Sequence, residues 1–335
     1  MNVKWFVLLI LVSSFSYGGS DYSLSDHYDG KKFFNPEKND YKTIWDLLKW
    51  YVTGDKKPWP QAVANKVYPM PDLAPDTKAV VTFINHATFL IRLQGLTILT
   101  DPVFSERMGP IKFVGPKRVR SPGINFEMLP KIDVVVISHN HFDHMDLETL
   151  TRLDGKFHPM FVVPIGNGKF LKQQGLQNVT ELDWWDKFRV QDKKILLTPA
   201  QHWSSRNYID KCDALWGGYM IYADGVQIYF AGDTGYGSHF AELKKRLGPP
   251  QLSLLPVGGY SPRSFMEVNH LNPEDAVKAH IDLGSPISFA MHFGTFQLSD
   301  EGIDEPILDL KAAMKKLGVN QDSFKTLDHG ESYAY

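Results

Sequence analysis

One segment constrains the fold more than any other, because a strand of buried type leads directly into a cluster of ionisable side chains. Residues 134–137 read Val-Val-Val-Ile, and the residues that follow include His139, His141, Asp143 and His144. In an extended segment, the side chains of residues two apart point the same way, so His139 and His141 can bind one ion together. Asp143 and His144 come where the chain turns into a helix, which aims them at a second ion. Imidazoles and carboxylates are usual zinc ligands, so the segment predicts a metal site.

Three later apolar runs also end in a side chain that can bind a metal. Residues 195–197 precede His202, residues 228–230 precede Asp233, and residues 288–291 precede His292. Four strand ends therefore supply seven candidate metal ligands: His139, His141, Asp143, His144, His202, Asp233 and His292. Asp233 is the candidate to bridge two ions, because a carboxylate has two oxygens to share. A zinc pair of this kind suits phosphoesters as well as acyl bonds, and the residues alone do not choose between them.

Composition and charge describe an ordinary globular protein. The 335 residues are 43% hydrophobic and 22% charged, which is enough to bury a substantial core. The net charge of −2 gives no long-range attraction to nucleic acid, so no nucleic-acid partner is expected. Apolar runs alternate with helix-like stretches, which argues for sheets covered by helices in a layered α/β domain.

The N-terminal residues predict export. Residues 1–18 contain a short apolar run followed by small residues, which is typical of a signal peptide, with an uncleaved anchor as the alternative. Cys212 is the only cysteine, so intramolecular disulfides are excluded, which favours a bacterial periplasm or envelope. We interpret residues 19–77 as an arm packed on the main domain and residues 78–335 as that domain.

The sequence predicts most elements of the main domain by periodicity. An opening β-meander is expected over residues 80–84, 89–93 and 97–99. Further strands are expected at 134–137, 161–163, 194–197, 218–222, 227–230, 252–256 and 287–290. Helices are expected at 41–51, 146–153, 239–247, 273–281 and 307–317.

At the metal-site residues the chain resembles the metallo-β-lactamase superfamily, whose His-x-His-x-Asp-His signature appears as residues 139–144. More narrowly, Thr100-Asp-Pro-Val-Phe-Ser105, Leu182-Asp-Trp-Trp185, Phe230-Ala-Gly-Asp-Thr-Gly-Tyr236 and His292-Phe-Gly-Thr-Phe296 resemble the phospholipases D that hydrolyse N-acylphosphatidylethanolamine. The resemblance implies a four-layer αββα sandwich and a phospholipid substrate, cleaved to phosphatidate and N-acylethanolamine. It also implies two Zn²⁺ per chain. One would be bound by His139, His141, His202 and Asp233, and the other by Asp143, His144, Asp233 and His292.

The resemblance also implies residues beyond the metal ligands. His270 matches a family histidine near the phosphate, so we expect it beside Asp143 among the catalytic groups and among the substrate contacts. Phe142 stands where the animal enzymes carry tyrosine, which removes a hydroxyl from the substrate-binding surface. We interpret His86 as a residue that supports the ligands, and Lys117, Arg118 and Arg120 as either a phosphate-binding cluster or a solvated loop.

Two alternative functions stay open at this point. A lactonase or other acyl hydrolase would use the same metal pair, and a non-catalytic zinc-binding envelope protein would use it without chemistry. The sequence leaves peripheral membrane contact and oligomerisation undecided.

Overall fold

The computed structural model describes residues 22, 25–39, 42–207, 209–223 and 225–335. The signal peptide inferred for residues 1–18 lies outside these residues. Within the described part of the chain, no helix is long and apolar enough to cross a membrane.

The described residues form two seven-stranded sheets and the helices that cover them. In chain order the strands are β1 (Ala79–Asn85), β2 (Thr88–Leu93), β3 (Leu96–Thr100), β4 (Val134–Val136), β5 (Met160–Pro164), β6 (Val179–Leu182), β7 (Lys187–Val190), β8 (Lys193–Thr198), β9 (Gly218–Ala223), β10 (Val226–Phe230), β11 (Leu252–Pro256), β12 (Ile287–Met291), β13 (Phe324–Lys325) and β14 (Ser332–Ala334). The α-helices are α1 (Ile44–Thr53), α2 (Leu147–Phe157), α3 (Gly168–Gln173), α4 (His239–Leu247), α5 (Arg263–Met266), α6 (Pro273–Leu283) and α7 (Glu305–Lys316). The sheet orders are β14-β1-β2-β3-β4-β5-β6 and β13-β12-β11-β10-β9-β8-β7.

The layers follow from which face of each strand is apolar. Val134 and Val136 lie in the core between the two sheets, whereas Val135 and Ile137 lie in a second core with Leu150 of α2. A strand buried on both faces needs a continuous apolar run, which is what residues 134–137 supply. The second sheet is covered by helices as well, since apolar residues of α4, α6 and α7 join its core. The fold is thus the αββα sandwich of the metallo-β-lactamase type, as expected from the sequence.

The predicted elements agree with the observed ones apart from their ends and some omissions. The meander and the seven later strands are present, as are the helices at α1, α2, α4, α6 and α7. The sequence missed the short or weakly apolar elements β6, β7, β13, β14, α3 and α5. Of these, β14 closes one sheet edge by pairing antiparallel with β1, with Tyr333 opposite Val81.

The described part of the N-terminal segment lies against the main domain. Phe33 is 1% exposed and belongs to the larger hydrophobic core. The Asn35 Nδ2 donates to the backbone carbonyl of His202 at 2.7 Å, which ties the segment to a predicted ligand. Farther along, the Trp50 Nε1 donates to Asp300 Oδ2 at 2.9 Å and the Trp59 Nε1 donates to the carbonyl of Glu301 at 2.9 Å.

Candidate metal centre

The candidate site lies where strands of both sheets end. The segment after β4 carries His139 to His144, His202 follows β8, Asp233 follows β10 and His292 follows β12. Gly232 allows the close approach of the two sheets here, because its φ is +60° and a Cβ at this position would lie 2.5 Å from the Cβ of Ser138. The structure therefore brings all seven predicted ligands to one edge of the sandwich.

Three imidazoles form the first group of side chains that could hold a metal ion, namely His139, His141 and His202. The Nε2 of His139 lies 2.8 Å from the Nδ1 of His141, and the Nε2 of His202 lies 3.3 Å from that same Nδ1. Since these are ring nitrogens pointing at a common place, the arrangement is typical of a shared cation rather than of a hydrophobic core.

A carboxylate and two imidazoles form the second group, which consists of Asp143, His144 and His292, with His86 beside them. The Oδ2 of Asp143 is 3.3 Å from the Nε2 of His144 and 3.5 Å from the Nε2 of His292. This group is buried, with His144 0% and His292 4% exposed.

Asp233 lies between the two groups. Its Oδ2 is 3.2 Å from the Nε2 of His292, 3.3 Å from that of His144 and 3.9 Å from that of His202. The carboxylate therefore faces both groups at once, which is the position that a bridging ligand requires. Its second oxygen, Oδ1, is buried without a hydrogen-bond partner among the described residues.

Unsatisfied polar atoms indicate that the residues fit a bound metal pair. The Nε2 atoms of His144 and His292 are buried and have no hydrogen-bond partner in the part of the chain that the structure describes. Buried polar atoms are almost always paired, because leaving them unpaired costs free energy. Metal ions would satisfy these atoms, and imidazole nitrogen with carboxylate oxygen is a donor set that zinc accepts.

The electrostatics of the first group favour neutral imidazoles. Burial lowers the pKa of His139 well below its usual range, and it lowers the pKa of His141 to about 4 and that of His202 to about 3. Neutral imidazoles keep the lone pair that a metal ion needs.

The carboxylates of Asp143 and Asp233 favour protonated imidazoles in the second group. Burial opposes ionisation of Asp143 and Asp233, but the nearby His144 imidazole holds the pKa of both carboxyls well below the usual range. Burial likewise opposes protonation of His144 and His292, yet the two carboxylates raise the pKa of His144 well above its usual value and that of His292 to about 9. The imidazoles thus take up protons to balance charge that a cation would balance instead.

A further set of groups orients the candidate ligands through their second ring nitrogens. The His144 Nδ1 lies 2.6 Å from Asp101 Oδ2, and the His202 Nδ1 lies 2.9 Å from the carbonyl of Asn269. The His139 Nδ1 is 2.9 Å from the hydroxyl of Ser138, which itself donates to Asp101. Such partners fix the orientation and tautomer of a ligating histidine. The sequence interpretation missed the role of Asp101, although its position directly after an apolar strand was a usable signal.

Left-handed backbone conformations are concentrated at this edge. His86, Asp101 and His292 have φ values of +45°, +31° and +62°. Non-glycine residues in this region cost conformational energy and persist where the surrounding structure holds them in place. Here the backbone N–H of His292 donates to the carbonyl of His86 at 2.7 Å, which ties two of the strained turns together.

The remaining predicted residues lie around the cluster in different settings. His270 is at its rim, with its side chain 16% exposed and its Nδ1 3.8 Å from Asp233 Oδ2. Phe142 is partly buried and packs under the Arg206 guanidinium at 4.2 Å. Lys117 is exposed, whereas Arg118 is 8% exposed and donates to the carbonyls of Ser105 and Val103. Lys117 therefore fits the interpretation as a solvated loop, whereas Arg118 does not.

Comparisons with known proteins agree with this fold and site. Residues 97–293 match the family model of the beta-lactamase superfamily domain. N-acyl-phosphatidylethanolamine-hydrolyzing phospholipase D 1 of Caenorhabditis elegans is 32% identical over 332 residues, covering 90% of this chain and 92% of that protein. An uncharacterised protein of Mycobacterium tuberculosis is 37% identical over 242 residues, covering 71% of this chain and 64% of that protein, so this match spans less than two thirds of the relative. A metallo hydrolase from the archaeon Ignicoccus hospitalis superposes with a TM-score of 0.58 at 23% identity, covering 77% of this chain and 98% of that one.

Proposed function

The chain belongs to the β-lactamase superfamily and is a metal-dependent hydrolase, and on this premise we propose that it hydrolyses N-acylphosphatidylethanolamine to phosphatidate and N-acylethanolamine. The observation that carries the proposal is the meeting of four strand ends at one buried cluster of imidazoles and carboxylates, in which His144 Nε2, His292 Nε2 and Asp233 Oδ1 have no hydrogen-bond partner among the described residues. The choice of a phospholipid rests on the nematode relative, which aligns over 90% of this chain.

We assign two zinc ions to this cluster. One would be held by His139, His141, His202 and Asp233, and the other by Asp143, His144, Asp233 and His292. Bound there, the ions supply Lewis acidity toward phosphate oxygens and a hydroxide nucleophile at neutral pH.

The other residues bind and orient the phosphodiester. In the proposed reaction, a water oxygen bonds to phosphorus, the P–O bond to the N-acylethanolamine breaks, and the departing oxygen takes a proton that the water gives up. His270 is suited to hydrogen-bond the substrate because it lies at the rim, while Arg263 holds its backbone carbonyl at 2.8 Å. Burial lowers the pKa of His270 to about 3, so we assign it the role of a neutral imidazole that orients the phosphate.

The proposal includes the place where the enzyme acts. A substrate in a bilayer requires at least peripheral membrane contact, and the export inferred from residues 1–18 would bring the mature chain to the bacterial envelope. Residues 19–77 would then form an arm on the catalytic domain of residues 78–335.

The test is to incubate the zinc-loaded protein with N-acylphosphatidylethanolamine in water labelled with heavy oxygen, and to follow the products by mass spectrometry. We expect phosphatidate with the label in its phosphate, together with unlabelled N-acylethanolamine. Asp143→Asn should abolish release of both products, whereas Asp322→Asn, a matched change at an exposed carboxylate, should not.

The position of the label separates the alternatives. Label in a fatty acid carboxylate, or hydrolysis of a simple lactone without cleavage of the phosphodiester, would replace the proposal with an acyl hydrolase. Binding of two zinc ions without any hydrolysis would instead support the non-catalytic alternative.

A further inference from the structure

A loop beside the candidate metal centre presents an apolar tip to solvent. We call residues 106–120 the basic loop. Its tip, residues 110–114, is exposed throughout, with Phe113 78%, Ile111 46% and Val114 39% exposed. Three large apolar side chains in five residues are an unusual feature for a surface loop, and contiguous apolar exposure of this kind marks interaction sites.

Backbone pairing holds this tip away from the protein. Arg107 and Lys117 form an antiparallel bridge, and Met108 and Arg118 donate backbone N–H groups to Pro116 and Glu106 across the same two legs. Gly115 has a φ of +98°, and a Cβ there would lie 1.8 Å from the carbonyl oxygen of Met108. The legs are therefore closely packed, so that the tip projects as an ordered turn.

The charge of the basic loop differs from that of the chain. Its basic residues are Arg107, Lys112, Lys117, Arg118 and Arg120, and its only acidic residue is Glu106, so five positive charges and one negative give +4. The whole chain has a net charge of −2. Lys117 pairs with Glu106 at 2.7 Å, while Lys112 is 71% exposed and lies 3.9 Å from an exposed carboxylate of Glu148. The local positive charge thus favours an anionic partner at this loop, although the net charge of the whole chain does not.

The base of the basic loop is joined to the candidate metal centre. The Arg118 guanidinium lies 5.1 Å from the centre of the Phe296 ring, which meets the His86 ring edge-on at 5.5 Å. The backbone N–H of Val119 donates to the carbonyl of Thr295, whose hydroxyl accepts the backbone N–H of His86 at 3.0 Å. The base of the basic loop therefore shares ring and hydrogen-bond contacts with residues beside the candidate ligands.

We propose that the basic loop docks the protein on an anionic phospholipid bilayer, with Ile111 and Phe113 entering the acyl layer and the surrounding cations contacting lipid phosphates. A bilayer offers this combination, an apolar interior beneath a negatively charged surface. The inference rests on the proposed function for its choice of a bilayer over an acidic protein surface, because the proposed substrate is a membrane lipid.

The test measures vesicle binding by the full chain in an Asp143→Asn background, so that hydrolysis does not alter the vesicles. Sedimentation with vesicles of phosphatidylcholine plus phosphatidylglycerol is compared for the unchanged loop, Phe113→Asp and Met128→Asp. Met128 is a matched control, since it is 73% exposed and lies outside the loop. We expect Phe113→Asp to weaken binding about tenfold or more, because insertion of a phenyl ring into lipid is replaced by burial of a charge.

The expected pattern also includes weak binding to pure phosphatidylcholine and no effect of Met128→Asp. Equal losses in the two variants, unchanged binding of Phe113→Asp, or no binding by the unchanged loop would overturn the inference. A selective loss of vesicle binding by Trp45→Asp would also overturn the inference, because the membrane contact would then be assigned to α1. Circular dichroism of each variant checks that the fold is retained.

The inference and the proposed function can fail separately. Loss of vesicle binding in Phe113→Asp supports the inference even if the protein cleaves no phosphodiester. Conversely, a protein that cleaves N-acylphosphatidylethanolamine in detergent but binds vesicles equally well with Phe113→Asp retains the proposed function and refutes the docking surface.

Discussion

The Nε2 of His86 lies 3.0 Å from the Oδ2 of Asp143, and both side chains are buried. The contact joins the turn between β1 and β2 to the segment after β4, 57 residues along the chain. Asp143 Oδ2 also lies 3.3 Å from the Nε2 of His144 and 3.5 Å from the Nε2 of His292, so His86 restrains the oxygen that we assign to the second zinc ion.

We therefore expect His86→Asn to weaken zinc binding. Asparagine tolerates the left-handed backbone of this position but is too short to reproduce the imidazole contact. Loss of a partner that orients a ligand typically costs about 10–100-fold in metal affinity. The measurement is a competitive zinc titration with metal analysis, with His158→Asn as the control because that side chain is 74% exposed. Equal zinc affinities of the two variants would show that His86 does not support the metal site.

Asp101→Asn should act on one ion more than on the other. Asp101 is fully buried and accepts from the backbone N–H of Ser138 at 2.7 Å as well as contacting His144. The amide cannot match this charged acceptor, so the orientation of His144, which Asp101 contacts directly, is weakened more than that of His139, which Asp101 reaches through the Ser138 hydroxyl. At limiting zinc we expect the stoichiometry of this variant to fall from two toward one per chain. Uniform loss of both ions, in protein that remains folded, would contradict this.

Phe33→Ala should destabilise the whole protein. The ring is 1% exposed in the larger hydrophobic core, although it belongs to the N-terminal segment. Truncation of a buried phenylalanine typically costs about 3–5 kcal/mol. Urea denaturation should show a lower free energy of unfolding by that amount, whereas Trp45→Ala, at a side chain 75% exposed, should change it by less than about 0.5 kcal/mol. Similar values for both variants would mean that the segment is not anchored in the core.

His239 should make the protein less stable in acid. Burial lowers its pKa to about 4 from the ordinary 6.5, so the unfolded chain binds a proton that the folded chain rejects. The stabilisation is therefore complete above about pH 6.5 and is lost as the pH falls toward 4, to a total of about 3 kcal/mol.

Replacing this group tests the sign of the effect. His239→Gln has no such proton to bind, so its free energy of unfolding should fall less between about pH 7 and about pH 4.5 than that of the wild type. Urea denaturation at the two pH values measures the difference. An unchanged pH dependence would show that other groups account for the acid sensitivity.

The local pattern of the sequence predicted the core elements and the candidate ligands. The run at 134–137 predicted a strand because four consecutive apolar residues suit a strand buried on both faces. The candidate ligands could be proposed from the sequence because each follows an apolar strand, and the structure brings these strand ends to a shared edge. Short elements such as β13 and β14 escaped prediction, since their stability comes from pairing with distant strands.

The sequence by itself determined ten of the fourteen strands and the seven candidate ligands that follow them, because strand periodicity and ligand type are local properties. The tertiary structure alone decided how those side chains are held. Asp101 meets His144, His86 meets Asp143 and Arg118 is buried against Phe296, and each contact joins residues far apart in the chain. No spacing rule encodes such contacts, since they depend on how the two sheets pack.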